Sequence, residues 1–410
     1  MKRILVLLLL FTKLIAQDKS YTNLSLQNCI DIALKRNLNL EIARLEAEQG
    51  KRLINTTMEL PKTNFLFTQG QFNSIYKFDN ALTVSQTIPF PGTNLANKKI
   101  ATLNYQRGVI KMELTERDIV YHVKTSFHSL SHHLRVKNLL ILEDSVYGGF
   151  LAVEKEKYSQ GKSSLLEYTV VNNKKIEIEN SLIENEEMIL DSKTELKKLL
   201  NIEDELSVKE GDYYDEIQEI IDSSFIDAHP LYKFYQMKKS INELEIKYNK
   251  KQMLPEIVLG YTNISIYGPA NIGQGDYFLK QNNRLSSFTV GLNIPLWLRP
   301  YRQKTKYYFI QRKIEDTQLE LTKLELDLNW KRSLQTYQFY VNSIIKSDGQ
   351  SSSNYVNIIS EALVSFSKSE INYIDYLTVV STAINTEQHH LFAQYHKVLA
   401  KIQIDYLIGK

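Results

Sequence analysis

Cysteine is almost absent from this 410-residue chain: Cys29 stands alone, so no internal disulfide can form. No cysteine directly follows the N-terminal apolar run either, which excludes a lipid anchor of that kind. Proline (8) and glycine (15) are scarce for the length, which predicts long uninterrupted elements. Charge of one sign is lacking too: 50 Lys and Arg against 47 Asp and Glu leave +3, a balance that gives no reason to expect nucleic acid. After residue 16 no apolar run is long enough to span a bilayer, so a membrane can be entered only by strands. Catalytic patterns are missing: there is no phosphate loop, no HExxH and no Ser/His/Asp order, and Asp212, Asp215 and Glu216 sit in a polar linker away from any histidine. The expectation is a protein that is not an enzyme and uses no cofactor.

What is present begins with an export signal. Lys2 and Arg3 precede an apolar stretch at residues 4–11, and Leu14-Ile15-Ala16 approximates a cleavage site, so residues 1–16 are expected to be removed. Residues 26–50 then carry Leu26, Ile30, Ala33, Leu38, Ile42 and Leu45 at helical spacing. Pro61 opens a strand at residues 64–72, and a second follows at 82–88. The strand-ending stretch at residues 82–93, LTVSQTIPFPGT, is the one around which the chain is organised: alternation stops at Pro89 and Pro91, which remove ladder donors, and Gly92 completes the turn. A proline-free helical pattern runs from about 95 to 158, with Val123, Phe127, Leu130 and Leu134 stepping as a coiled-coil seam. At 1.5 Å per residue such a helix is about 95–100 Å long. Residues 158–161 read as a turn, and a return helix over 164–200 places Leu182, Ile189 and Leu196 seven apart.

After an acidic, irregular linker at 201–224 the pattern restarts. His229-Pro230 precedes a helix with Phe234, Met237, Ile241, Leu244 and Tyr248 on one stripe; Pro255 opens a strand at 257–264, and a longer loop leads to another at 288–294. Pro295 and Pro300 repeat the strand-ending prolines, and the long helix that follows shows Leu321, Leu324 and Leu328 on one face. A break is expected at 347–354, a turn near 367–369, and a last helix over 371–408. The halves align with an offset that grows from 192 (Leu38 to Pro230) to 208 (Tyr158 to Phe366), which predicts an internal two-fold repeat. The expected domains are residues 17–200 (strands about 61–90, helical hairpin about 95–200) and 225–410 (strands about 255–296, helical hairpin about 301–408). Four strands cannot close a membrane barrel and open edges are not tolerated in lipid, so copies must complete it; three copies give twelve strands.

These motifs carry a resemblance. LSLQNCIDIALKRNLNL resembles the N-terminal signature of the TolC family of outer-membrane efflux proteins, and LTVSQTIPFPG its strand-to-helix junction. YSQGKSSLLEY is similar to the family's hairpin tip, an aromatic, a glycine three residues on and an acidic residue six beyond: Tyr158, Gly161, Glu167, repeated as Phe366, Ser369, Asp375 with serine for glycine. The resemblance covers essentially the whole mature chain. It implies a mainly α fold with membrane β: a homotrimeric twelve-stranded barrel in outer-membrane lipid, continued by a periplasmic tunnel of long antiparallel helical hairpins. It also implies partners, a periplasmic adaptor and an inner-membrane pump of the RND type. The entrance and adaptor contact would be formed by Tyr158, Gly161, Lys162, Glu167, Phe366, Lys368, Ser369, Glu370 and Asp375, and the junctions by Pro89, Pro91, Gly92, Pro295 and Pro300.

The bland reading of the tip residues is a solvated turn with capping side chains; the register of both copies favours the tip. For His128, His132, His133, His389 and His390 solvated or tunnel-facing positions are expected, and no metal site. Tyr76, Phe78, Tyr261, Tyr267, Tyr277, Phe278 and Trp297 flank the strands as candidate interfacial girdles. Compact length and the lack of a long C-terminal tail point towards the cation-efflux branch. The alternatives are a type I protein-secretion duct and a soluble periplasmic coiled-coil adaptor, but adaptors carry glycine-rich domains between their helices and lack duplicated Ile-Pro junctions.

Overall fold

The computed structural model describes residues 21–72, 79–209, 223–266, 268–271, 276–279, 283–350, 355–368 and 370–409. The expected signal peptide, Tyr76, Phe78, Tyr267 and Ser369 lie outside them. The elements run β1 (Tyr21–Leu24), α1 (Leu26–Arg36), α2 (Leu38–Thr56), β2 (Asn64–Gly70), β3 (Asp79–Ile88), α3 (Thr93–Ser159), α4 (Leu165–Leu200), β4 (Leu206–Val208), α5 (Pro230–Lys251), β5 (Glu256–Ser265), β6 (Gly268–Asn271), β7 (Asp276–Leu279), β8 (Arg284–Asn293), α6 (Arg299–Gln350), α7 (Tyr355–Ser367) and α8 (Tyr373–Ile408). They form two compact units, each drawn from both halves of the chain: one from the chain up to Glu41, Leu114–His229 and Glu325–Lys410, the other from Ile42–Glu113 and Pro230–Leu324.

The second unit holds the main sheet, antiparallel in the order β2-β3-β5-β8, with β2 and β8 as its edges. Register fixes its faces, because paired residues share a face and neighbours along a strand alternate. Val84 pairs with Phe65 and Tyr261, and Tyr261 with Phe288; Leu259 pairs with Val290 and Ile257 with Leu292. That face is mainly apolar and open, with Gln86, Asn263 and Ser286 as polar exceptions: Phe288 is 84% and Val290 75% exposed. The opposite face carries Thr83 against Thr262, whose hydroxyls meet at 3.1 Å, and Gly260 against Thr289, with Leu66, Val258, Ile264 and Leu285 as apolar exceptions. In the same unit α2 packs on α3 (Glu46 to Lys111, 2.7 Å) and α5 on α6 (Lys238 to Glu315, 3.1 Å; Lys239 to Asp316, 2.6 Å).

The first unit is a helical wall. On α3, Val123, Phe127 and Leu130 are buried, as their spacing predicts. On α4 the expected Ile189 and Leu196 are buried, and a second seven-residue series, Val171, Ile178, Asn185, Ser192 and Leu199, is buried beside them. Two of its members are polar and pair across the seam: Ser192 with Ser129 (3.0 Å), and Asn185 with the His133 ring (3.1 Å) and carbonyl (2.9 Å). Polar pairs at such positions fix register at some cost in stability. Towards the hairpin ends Phe150, Tyr376, Val380 and Ile384 join one core.

Several expectations are corrected. The helix read over 26–50 is two helices, broken at Asn37, whose Oδ1 accepts from the Asn39 (2.9 Å) and Leu40 (3.3 Å) amides and caps α2. The break rephases the stripe: Leu40, Ala43 and Ala47 are buried, while Leu38, Ile42 and Leu45 are exposed. Helix α6 continues through Gln350, so the break expected at 347–354 does not begin at 347; residues 351–354 lie outside the described set. The linker contains β4, which pairs in parallel with β1, and the loop between β5 and β8 contains the β6–β7 hairpin.

Candidate functional site

The first hairpin tip is built by local turn chemistry. Helix α3 closes with paired bonds from the Lys162 amide to the Lys157 carbonyl (2.8 Å) and from the Gly161 amide to the Tyr158 carbonyl (3.0 Å), with Gly161 at φ +68°. That left-handed position is why glycine stands there. Ser164 then caps α4 in a reciprocal box: its Oγ accepts from the Glu167 amide (3.2 Å) and the Glu167 carboxylate accepts from the Ser164 amide (2.9 Å). These bonds, the Ser164 amide foremost, hold the exposed Glu167 carboxyl below its ordinary pKa. Tyr158 stacks on Tyr168 with ring centroids 5.6 Å apart.

The second tip shares the side-chain cap of the following helix. Lys368 N–H donates to Val364 (3.0 Å), Glu370 N–H to Ser365 (2.9 Å), and the Asn372 side chain accepts from the Asp375 amide (2.9 Å) to cap α8. Glu167 and Asp375 thus occupy the same place, the third residue of a capped helix. Phe366 packs into the core beside Phe150 and Tyr376. Lys162 and Lys368 are exposed.

A network that the sequence did not reveal lies behind the first turn. The Glu154 carboxylate, 3% exposed, receives Ser163 Oγ (2.7 Å) and Lys157 Nζ (3.0 Å), and the Lys157 ammonium lies 5.6 Å from the Tyr373 ring. It gathers the end of α3, the turn and the start of α8. Burial, with Glu154 next, raises the Tyr373 pKa, and its buried hydroxyl has no hydrogen-bond partner. Tyr373→Phe is therefore expected to leave thermal stability unchanged or to raise it by up to about 1 kcal/mol, since the hydroxyl is desolvated without compensation; a clear loss in a thermal melt contradicts this geometry. Beside the network an apolar groove of about 630 Å³ runs between Leu166, Val170 and Lys174 of α4 and Ile374, Leu377 and Thr378 of α8.

At the junctions, Pro89 and Pro91 follow the last residue of β3, and Gly92 at φ +85° turns the chain into α3, where Lys251 Nζ donates to its carbonyl (3.0 Å). Pro295 follows β8, and Pro300 sits in the first turn of α6, where a missing N–H costs nothing. Among the described residues no helix is long and apolar enough to cross a membrane.

No family model matches the sequence, and neither does any curated protein. Solved structures do match. CusC shares 13% identity over 95% of both chains with a TM-score of 0.73. The Campylobacter jejuni CmeC outer membrane channel shares 15% over 94% of this chain and 85% of its own, with a TM-score of 0.73. The open-state Neisseria gonorrhoeae MtrE outer membrane channel shares 13% over 94% and 88%, with a TM-score of 0.71. The fold is that of outer-membrane channels. The sequence identity is too low to carry residue roles across.

Two of the five histidines are placed differently from expectation, while His389 is exposed as expected. His128 and His132 are buried, not solvated, and His132 stacks on Tyr395 (4.4 Å, 7° between planes). Among the described residues no group of three or more His, Cys, Asp or Glu is placed to hold a metal. Of the girdle aromatics, Tyr261 lies on the apolar sheet face against Phe288 (5.3 Å) and Trp297 is 83% exposed just past β8. Tyr277 and Phe278 fall on β7, and their side chains lie outside the described set.

Proposed function

We propose that the protein is the outer-membrane duct of a tripartite efflux system, a passive trimeric conduit and not an enzyme. The observation that carries this reading is the four-stranded sheet: one mainly apolar face, one largely polar face, two edges without partners among the described residues, and long helices continuing from its strands. An apolar outer face and a polar inner face are what a water-filled barrel in lipid requires, and unpaired edges require other copies. Three copies joined β8 to β2 give twelve strands. Helix α6 supports the same assembly: Tyr307, Ile310, Ile314, Leu321 and Leu324 form an exposed stripe in steps of three, four, seven and three, and α2 exposes Ile42, Leu45 and Leu53. Such stripes suit staves that each touch a neighbour.

The hairpin tips are assigned as the periplasmic entrance, contacted by an adaptor and closed through the Glu154–Ser163–Lys157–Tyr373 network until docking. Cargo choice is assigned to the inner-membrane pump; the cation-efflux branch is supported by the sequence resemblance alone. The test is the oligomeric mass of detergent-extracted protein coupled to conductance in a planar bilayer. A trimer with low, pulse-like conductance is expected, and a water-soluble monomer without bilayer activity overturns the reading. For the tips, Lys162→Glu with Lys368→Glu is expected to impair adaptor-dependent export while the trimer persists; unchanged export removes these two lysines from the contact.

A further inference from the structure

Where the sheet passes into helices, the chain's positive charge is concentrated. Ile88 pairs with Ile257 and Ile257 with Leu292, so the end of β3, the start of β5 and the end of β8 share one rung. The segments that continue from them, residues 89–100, 246–255 and 294–306, leave the sheet on the same side. Together they hold Lys98, Lys99, Lys247, Lys250, Lys251, Arg299, Arg302, Lys304 and Lys306 and no aspartate or glutamate, although Glu245 and Glu256 border them and the lead-in to β2 at the same end carries Glu59, in a chain whose net charge is only +3. Two of these are engaged: Lys251 donates to the Gly92 carbonyl and Lys304 faces Glu245. Lys98, Lys99, Lys247, Lys250, Arg299, Arg302 and Lys306 are exposed and make no ion pair among the described residues. Elsewhere in the same unit some lysines are paired, as Lys111 is with Glu46 and Lys239 with Asp316. Exposed Lys51, Lys62 and Lys323 of the same unit make no ion pair among the described residues either, so what sets the belt apart is the clustering of nine cations in three short segments at one end of the sheet.

The apolar face runs directly into this belt. Beyond Leu292, Ile294 is 57%, Leu296 82% and Trp297 83% exposed. An exposed tryptophan beside unpaired lysines and arginines, at the end of an apolar band, is the chemistry of a membrane–water interface. Clustered cations there attract anionic headgroups. We infer that this belt binds the anionic headgroups of glycerophospholipids in the leaflet facing the helices and so fixes the depth of the sheet in the bilayer. The inference rests on the duct reading. Phosphate-bearing solutes in the passage offer the same charge chemistry, but they would leave Leu296 and Trp297 in water; a lipid covers both.

The test uses full-length protein in detergent, followed by native mass spectrometry with phosphatidylglycerol or phosphatidylcholine added in turn. Each cation near an anionic membrane surface is worth about fivefold in affinity. Wild type is expected to retain phosphatidylglycerol at least about tenfold better than phosphatidylcholine in 0.1 M salt. That preference should collapse in 1 M salt, where the screening length falls from about 10 Å to about 3 Å. The combined substitution Lys98→Gln, Lys99→Gln, Arg299→Gln, Arg302→Gln and Lys306→Gln should reduce it sharply, with Lys247 and Lys250 left in place. A companion variant that exchanges lysine and arginine at the same five positions should keep it, which guards against a folding defect in the glutamine variant. Equal retention of both lipids by wild type, or an unchanged preference in the glutamine variant, overturns the belt. So does displacement of phosphatidylglycerol by an equal concentration of soluble glycerol phosphate, which assigns the cations to free anions. Failure of the duct reading is separately visible, because a protein soluble without detergent discards both, whereas a membrane-extracted trimer without lipid preference discards the belt alone.

Discussion

A lysine in place of Val290 is expected to abolish trimer assembly in the outer membrane, while a lysine one residue earlier, in place of Thr289, is tolerated. The two positions are neighbours in sequence and lie on opposite faces of β8. Val290 is 75% exposed, pairs with Leu259, and belongs to the face that carries Phe65, Val84, Tyr261 and Phe288. A charged residue on the lipid face near the bilayer midplane costs about 2–4 kcal/mol. Assembly multiplies that by three copies, to roughly 6–12 kcal/mol, which is comparable to the whole stability of an ordinary domain. Thr289 pairs with Gly260, whose missing side chain leaves room on the other, polar face. The heat-modifiable trimer band and the outer-membrane fraction read both variants. If Thr289→Lys fails and Val290→Lys assembles, the faces are assigned the wrong way round; if both assemble, the sheet is not in lipid.

Whatever depended on local chemistry was legible in the sequence. The Ile-Pro steps at Pro89 and Pro295 mark strand ends because proline removes a ladder donor. The absence of proline between Leu95 and Tyr158 marks a helix that the structure extends to Thr93–Ser159. The tip turns were legible for the same reason: Ser164 with Glu167 three residues on is a capping box on inspection, and Asn372 with Asp375 follows the same spacing. What was not legible depends on distant partners. Asn37 breaks a helical pattern because its side chain also donates to the Leu199 carbonyl (2.9 Å), 162 positions away. Once broken there, the helix turns Leu40, Ala43 and Ala47 inward in place of Leu38, Ile42 and Leu45. The Glu154 network needs Tyr373 from another hairpin, and no spacing in the chain announces it. His132 looks like any helical histidine until α8 brings Tyr395 onto its ring.

That buried histidine leads to the second large effect, a steep loss of stability in acid. Burial foremost holds His128, His132 and His229 at about 4, below the ordinary 6.5. Neighbouring charges act in the same direction: Arg135 and Lys124 on His128, His133, His396 and Arg135 on His132, and Arg117 on His229. A lowered folded-state pKa means that the unfolded chain binds protons first. Stability is therefore full above about pH 6.5 and declines as the pH falls towards 4. At pH 5 each site forfeits about 2 kcal/mol, so the three together forfeit on the order of 6 kcal/mol. Glu143, Glu245 and Glu387 oppose this in part, because burial raises their pKa and the folded state takes up their protons earlier. The net expectation is a denaturation midpoint clearly lower at pH 5 than at pH 7.5, in the same detergent and at the same protein concentration. His132→Phe keeps an aromatic ring against Tyr395 and cannot be protonated, so it should remove about 2 kcal/mol of that difference. A midpoint that does not move between pH 7.5 and 5, or a slope unchanged by His132→Phe, would show that water reaches these rings and that α3 does not keep them neutral.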